Sequence, residues 1–210
     1  MHVSDYVRLH YPQYYSIETY PSDRVCAFSK IDGEWGVFSN FAHTPLVVDG
    51  VPFDTSERLF QTMKFLNPKA RREVYGAKGN PKMTAKRWQK TGALCPDWPE
   101  HVVDAMKYCL MEKYRQSEAF RTELTRSGDR FIVEDQTTFP RKTADTWGAK
   151  RSPDGVSYVG PNLLGRLLME LREGNGILDL SRPLPLSMMA FGAGASGGGK
   201  FMVAEDAPIW

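Results

Sequence analysis

Between Trp35 and Phe65 the chain reads WGVFSNFAHTPLVVDGVPFDTSERLFQTMKF, and no other stretch limits its fold so tightly. A turn rich in glycine and aromatic residues, Trp35-Gly36-Val37-Phe38-Ser39-Asn40-Phe41, leads into an extended segment from Pro45 to Val48 and then Asp49-Gly50. Tight hairpins favour that dipeptide because their turn needs positive φ. A helix is expected next. Asp54 and Glu57 have the spacing of a capping box, and Thr55 or Ser56 is an alternative N-cap. Leu59, Met63 and Leu66 fall at i, i+4 and i+7 and form an apolar stripe. Glu57, Gln61 and Lys64 repeat that spacing on another face, so a carboxylate, an amide and an amine stand in line along roughly 10 Å of helix axis. Such a row is either a solvated face or, beside aromatic walls, the polar edge of a small-molecule site.

Downstream the punctuation is helical. Asn67-Pro68 and Asn80-Pro81 each offer an N-cap followed by proline at N1, with Gly76 and Gly92 as stops. Met83 and Trp88 supply apolar positions to the second of these helices. Asp97-Trp98-Pro99-Glu100 opens another helix with a second D-x-x-E box, whose buried stripe is Val102, Met106, Cys109 and Leu110. Trp98 in its first turn is a core anchor or a platform for a ligand. Ser117 caps a helix bearing Phe120 and Leu124 that ends at Gly128. Phe131 to Val133 reads as a strand ending at Glu134-Asp135, and the stretch from there to Trp147 is aperiodic, as functional loops often are. Asn162 precedes a last strong helix with Leu163 or Leu164, Leu167, Leu168 and Leu171 inward and Gly174 as stop. It either caps that helix or helps its N–H groups meet an anion. Val25 to Lys30 is expected as a strand, and Lys30 at its end is an idle exposed amine or one set beside the aromatic turn.

The hydrophobic share of 41% over 210 residues supports one core. Net charge is +2, but eight Lys or Arg (69, 71, 72, 78, 82, 86, 87, 90) face one acid, Glu73, between Lys69 and Lys90. That band is a set of solvated helix faces or an attractor of phosphates. Three scattered cysteines (26, 95, 109) without C-x-x-C spacing predict neither a disulfide framework nor zinc, and point to a reducing compartment. No signal peptide or membrane-length apolar run is legible, so a cytoplasmic or nuclear protein that does not contact membranes is expected. Gly194 to Lys200 fits G-x-x-x-x-G-K, but Phe201 follows and no βαβ unit can be built there, so a flexible connector is expected instead of a phosphate loop.

Taken together, W-G-x-F-S-N-F, then D-G, then T-S-E-x-x-F-Q-x-x-K-F resembles the NADAR superfamily, named for a predicted link to NAD and ADP-ribose, which includes the YbiA-like N-glycosidases. The likeness continues at Trp98, Ile132-Val133-Glu134, Asp145-Thr146-Trp147-Gly148 and Asn162-x-x-Gly165-x-x-x-Met169-Glu170-Leu171-Arg172, and spans roughly residues 28 to 173. The chain departs from it once: the acid that usually lies three residues before Trp-Gly is replaced by Ala144, with Asp145 two before. The resemblance implies a mostly α, α+β fold, a compact orthogonal helical domain with one small sheet from the segments near 25–53 and 130–134. The expected organisation is a Tyr-rich N-terminal arm (1–24) packed irregularly, the family domain (25–174) and a Pro/Gly-rich extension (175–210).

The resemblance also implies cleavage of a ribose C1–nitrogen bond. Two substrate classes fit: ADP-ribose on guanine, as a nucleotide or in DNA or RNA, and the ribosylamino-pyrimidine phosphates of riboflavin synthesis. A non-catalytic ADP-ribose or NAD binder is a third reading, disfavoured because a binder needs no carboxylate and amine in line. Positive charge develops at C1 as the bond breaks, so a carboxylate beside it stabilises the transition state, and either an acid donates a proton to the leaving nitrogen or a base activates water. A lysine attacking C1 of the opened sugar is an alternative route through a Schiff base. The candidate catalytic groups are Glu57, Lys64 or Lys30, and Asp145. Glu134 is a further carboxylate; Trp35, Phe38, Trp98 and Trp147 are candidate walls; Ser39 and Asn40 are donors to ribose. Gly36, Gln61, Gly148, Asn162 and Gly165 complete the expected site by motif. No metal or cofactor is required.

Overall fold

The hairpin and the helix after it form where the sequence puts them. In the computed structural model, which describes residues 2–192, β3 (Leu46–Val48) and β4 (Val51–Phe53) pair antiparallel, and Asp49 and Gly50 turn between them at φ 52° and 75°. Helix α2 (Ser56–Met63) follows, with Thr55 as N-cap accepting from the Arg58 amide at 3.1 Å. The Asp54 carboxylate does not cap. It takes the Arg58 guanidinium at 2.6 and 3.0 Å, the stronger charged partner. Leu66 falls beyond the end of α2 and is 41% exposed, so the stripe stops at Met63.

Helices α3 (Pro68–Tyr75) and α4 (Pro81–Gln89) start at their Asn caps as expected. In α4 the buried positions are Pro81 and Ala85, whereas Met83 is 62% exposed, because small residues allow close approach to α2 and α3. The long helix α5 (Trp98–Gln116) is the spine on which α1 (Val3–His10), α2, α6 (Glu118–Arg126) and α7 (Leu163–Glu173) pack. Its start differs from expectation: Asp97 has helical dihedrals and makes no side-chain cap bond. Helix α6 (Glu118–Arg126) is capped by Ser117, and Gly128 turns the chain at φ 58°. Helix α7 (Leu163–Glu173) buries five leucines (163, 164, 167, 168, 171), each worth roughly 1.5–3 kcal/mol when taken from water.

The strands are more dispersed than one small sheet. β2 (Val25–Phe28) pairs parallel with β5 (Phe131–Glu134), a pairing that needs a long crossover, here supplied by α2 to α6. Strands β1 (Glu18–Pro21), β7 (Ser157–Gly160) and β6 (Lys150–Arg151) form a separate antiparallel sheet. The N-terminal arm is therefore regular rather than irregular. Its helix α1 (Val3–His10) buries Tyr6 and Val7, and Tyr11 and Tyr14 join the same core.

The segment after Gly174 joins that core too, through Leu178, Leu184, Met188 and Phe191, the last two in or just after the short α8 (Leu186–Met189). Buried charges hold it. Asp104 accepts from the amides of Ser181 (2.7 Å) and Arg182 (3.0 Å) and from the Tyr11 hydroxyl (3.0 Å). Arg71, from the basic band, donates to the carbonyls of Ser187 (2.6 Å), Met188 (3.1 Å) and Ala190 (2.9 Å). The G-x-x-x-x-G-K run at Gly194 to Lys200 lies outside the described residues. All three cysteines are buried thiols, and no helix among the described residues is long and apolar enough to cross a membrane.

Candidate active site

Helix α2 presents its polar row inward rather than to water. Glu57 and Lys64 are 6% and 8% exposed, and Gln61 between them is buried. Gln61 Nε2 donates to Glu57 Oε1 at 2.8 Å, while Gln61 Oε1 has no partner among the described residues. A buried acceptor left open is costly, and it suits a donor brought by a substrate. Burial pushes the Lys64 amine down to about 8, against the opposing pull of the Glu57 charge.

Three rings flank this row. Phe60 meets Trp98 edge-on at 5.2 Å and Trp147 at 5.8 Å. The Lys64 amine lies 5.1 Å from the Phe60 ring centre and 5.6 Å from that of Trp98. Trp98, 1% exposed, is a core anchor whose ring also meets Phe60 beside the Lys64 amine. Phe60, absent from the candidate walls, stands beside the Lys64 amine, and its place four residues before Lys64, the C-cap of α2, was a signal.

A second acid arrives from the end of β5. Burial first, and then the neighbouring Asp145 charge, raise the Glu134 carboxyl to about 7. Glu57 adds to the rise and Lys82 opposes it. The Lys82 charge also lowers Lys64, which sets one amine of the basic band at this centre. Gln136, unforeseen in the sequence, binds both acids: its Nε2 donates to Asp145 Oδ1 (2.6 Å) and Glu134 Oε2 (3.2 Å), and its Oε1 accepts the Asp145 amide (2.8 Å). Asp145 Oδ1 also accepts the Trp147 amide at 2.9 Å, so its loop is cross-linked despite the shifted spacing.

The glycine and asparagine motifs fasten this loop. Asn162 sits at φ 48° and does not cap α7; its side chain donates to the Ile132 carbonyl (2.8 Å) and accepts from the Glu134 amide (3.1 Å). The amides of Asn162, Leu163 and Leu164 donate to the carbonyls of Gly148, Thr146 and Trp147. The start of α7 is consequently spent on the loop, not open to an anion. A Cβ at Gly165 would come within 2.1 Å of the Ile132 carbonyl oxygen, and one at Gly148 within 2.5 Å of that of Glu134.

The aromatic turn takes another part. Trp35 is buried, stacked on Phe38 at 5.6 Å with the Arg126 guanidinium 3.7 Å and that of Arg130 4.7 Å from its ring centre. Phe38 is wholly enclosed among Phe28, Trp35 and Phe120, so neither ring is an open wall. A Cβ on Gly36 would strike the Ile31 carbonyl. Asn40 does not reach for a ribose either: its carbonyl accepts the Glu57 amide (2.9 Å) and its Oδ1 accepts the Ser56 hydroxyl (3.0 Å). Ser39 Oγ accepts the Phe41 amide at 3.2 Å. Lys113, fully buried and pushed down to about 7 by burial, donates to the carbonyls of Val37 (2.6 Å) and Ser39 (2.8 Å). The turn is a rigid base that aims the start of α2. Lys30, by contrast, is exposed.

Two adjoining hollows of about 340 and 360 Å³ lie between the N-terminal arm and the 141–161 segment; the first touches Asp145, and neither is lined by Glu57, Gln61, Lys64, Glu134 or the three rings. Among the described residues no group of three or more His, Cys, Asp or Glu could hold a metal.

Comparison with known proteins gives a consistent picture. A family model described as NADAR domain matches residues 27–174. The chain is 33% identical over 152 residues to the N-glycosidase YbiA of Shigella flexneri and of Escherichia coli K12, covering 72% of this chain and 88% of either relative. It is 25% identical over 191 residues to the riboflavin biosynthesis protein VVA0006 of Vibrio vulnificus, covering 87% of this chain and 47% of that protein. Among solved structures, the NMR structure of E. coli YbiA superposes with a TM-score of 0.57 at 32% identity, over 73% of this chain and 85% of that one.

Proposed function

The chain belongs to the NADAR family, and on that footing we propose that it is an N-glycosidase that hydrolyses the bond between ribose C1 and a nitrogen, removing ADP-ribose from the exocyclic amine of guanine. The observation that carries the reading is the buried Glu57–Gln61–Lys64 row beside the Trp98–Phe60–Trp147 rings, with Glu134 close enough to feel the Glu57 charge. In the direct route Glu57 stabilises the positive charge that develops at C1 as the C1–N electron pair leaves with the base. Glu134, still protonated near neutrality, gives its proton to that nitrogen. Water then bonds to C1 and returns a proton to Glu134, which closes the cycle. Lys64 and Lys82 are the cations of this centre and hold the substrate's phosphates. Neither metal nor cofactor is needed.

The lowered Lys64 amine supports a second route, in which it attacks C1 of the opened sugar, expels the base, and is released when water hydrolyses the Schiff base. The routes differ in pH dependence. Glu134 holds its proton up to about pH 7, so in the direct route kcat falls as pH rises through 7, and Glu134→Gln removes that limb. The Schiff-base route also needs neutral Lys64, whose fraction grows through about pH 8, so its profile is a bell between the two values. Borohydride trapping gives a second readout. An adduct lost in Lys64→Ala and kept in Lys30→Ala identifies the attacking amine, whereas no adduct in the unaltered protein removes this route.

The match to a riboflavin biosynthesis protein over most of this chain favours one alternative substrate, a ribosylamino-pyrimidine phosphate. Incubating the purified protein with GMP bearing ADP-ribose on its exocyclic amine, and separately with the pyrimidine phosphate, decides between them. Release of free ADP-ribose is expected; turnover of the pyrimidine alone overturns the guanine reading.

A further inference from the structure

Lys113 lies in the last turn of α5 with its side chain fully enclosed, and among the described residues no carboxylate pairs with its amine. The acid one residue before it, Glu112, is taken by Arg115 and Gln116. Burying an amine without an acid is costly, and a methionine would fill much the same space without that cost. What the amine does bind is local: the carbonyls of Val37 and Ser39, with the Phe120 ring centre 4.7 Å away. Those two carbonyls flank Phe38 and lead directly to Asn40, on which the start of α2 rests. Glu57 is the second residue of α2, so its amide has no partner inside the helix. The Asn40 carbonyl accepts that amide at 2.9 Å, and Asn40 also accepts the Ser56 hydroxyl, at Oδ1 (3.0 Å) and at its carbonyl (3.3 Å). Asn40 Nδ2 donates to the Met106 sulfur at 3.1 Å. Helix α5 therefore grips the turn at Lys113 and at Met106, and the turn grips Glu57 by its backbone.

We propose that Lys113 is a positioning residue for Glu57: it clamps the 37–40 turn against α5 and so fixes the carboxylate where the charge at C1 develops. Lys113 itself touches no substrate. This role rests on the N-glycosidase reading above for what Glu57 does, and on the hydrogen bonds alone for how Glu57 is held. The geometry has little slack, because a shift of about 1 Å in an aimed group can cost roughly 10²-fold in rate.

The test is a double-variant cycle on the full chain. Lys113→Met should lower kcat for ADP-ribosyl-GMP by roughly 10–10²-fold while KM moves only a few-fold. In a Glu57→Gln background the same replacement should cost no more than a few-fold, because the carboxylate it positions is gone. Equal cost in both backgrounds would make Lys113 a prop of the fold alone, and no cost in either would leave it without a part in the reaction; both overturn the role. NMR titration of the lysine amines adds a readout that needs no turnover. The Glu57 charge holds the Lys64 amine up, so Lys64 should titrate lower in Lys113→Met than in the unaltered protein. It should titrate no lower in Glu57→Gln/Lys113→Met than in Glu57→Gln. Circular dichroism checks the fold; should Lys113→Met not fold, Lys113→Gln, a shorter uncharged donor, goes through the same cycle and should show the same dependence on background. A Lys64 shift in a protein that turns over neither candidate substrate defeats the hydrolase reading alone. Turnover with both kcat and Lys64 unmoved by the replacement defeats the positioning role alone.

Discussion

Glu57→Gln is expected to lower kcat for release of ADP-ribose by roughly 10²–10³-fold, the usual cost of losing one aimed electrostatic stabiliser. The replacement is nearly isosteric, and the amide carbonyl it introduces can still accept from Gln61 Nε2, so the fold and the ring wall should survive. What disappears is the negative charge that meets the cation at C1. It is a charge needed in the transition state and hardly in the ground state, so affinity for ADP-ribose should change only a few-fold. Steady-state kinetics beside calorimetric titration of ADP-ribose separates the two quantities. A variant that retains kcat, or one whose whole defect lies in binding, would sink the assignment of Glu57. The Glu57 charge also holds up the Lys64 amine, so in this variant Lys64 should titrate lower than it does beside the carboxylate.

Gly165→Ala should have the largest effect on stability, although it removes no chemistry. The added methyl would lie 2.1 Å from the Ile132 carbonyl oxygen and 2.4 Å from the Asn162 side-chain Nδ2, inside the clasp between α7 and β5. Neither can yield freely, since Asn162 binds Ile132 and Glu134 together and the β5 backbone is paired to β2. Overpacking of this kind costs about 3 kcal/mol, and for a chain of this size that lowers Tm by roughly 6–12 °C. Thermal unfolding by circular dichroism checks it; an unchanged Tm would mean that helix and strand part more easily than their contacts imply. Residual activity should fall with the folded fraction, because displacing α7 releases the Trp147 loop and Glu134 with it.

These two residues divide what the sequence showed from what it hid. Glu57 was legible because helix periodicity is local: once Thr55 caps α2, the chain itself sets Glu57, Gln61 and Lys64 on one face. Gly165 and Asn162 drew attention by motif, but their task became visible only when β5, far from β2 in the chain, was seen paired to it and held by the Asn162 amide. The aromatic turn shows the limit most plainly. Trp35 and Phe38 look the same in a sequence whether they wall a pocket or fill a core, and Arg126, Arg130 and Phe120, which decide the matter, come from distant helices.

Most of the helix starts, the Asp49-Gly50 hairpin, the inward leucines of α7 and the family likeness could all be read along the chain, because capping, periodicity and turn chemistry act within a few residues. Folding in three dimensions had to settle which way the polar row faces, that Phe60 rather than Trp35 stands beside Lys64, that Gln136 couples Glu134 to Asp145, and that both terminal segments enter one core. Those outcomes depend on burial and on charges meeting through space, and neither is a property of neighbours along a chain.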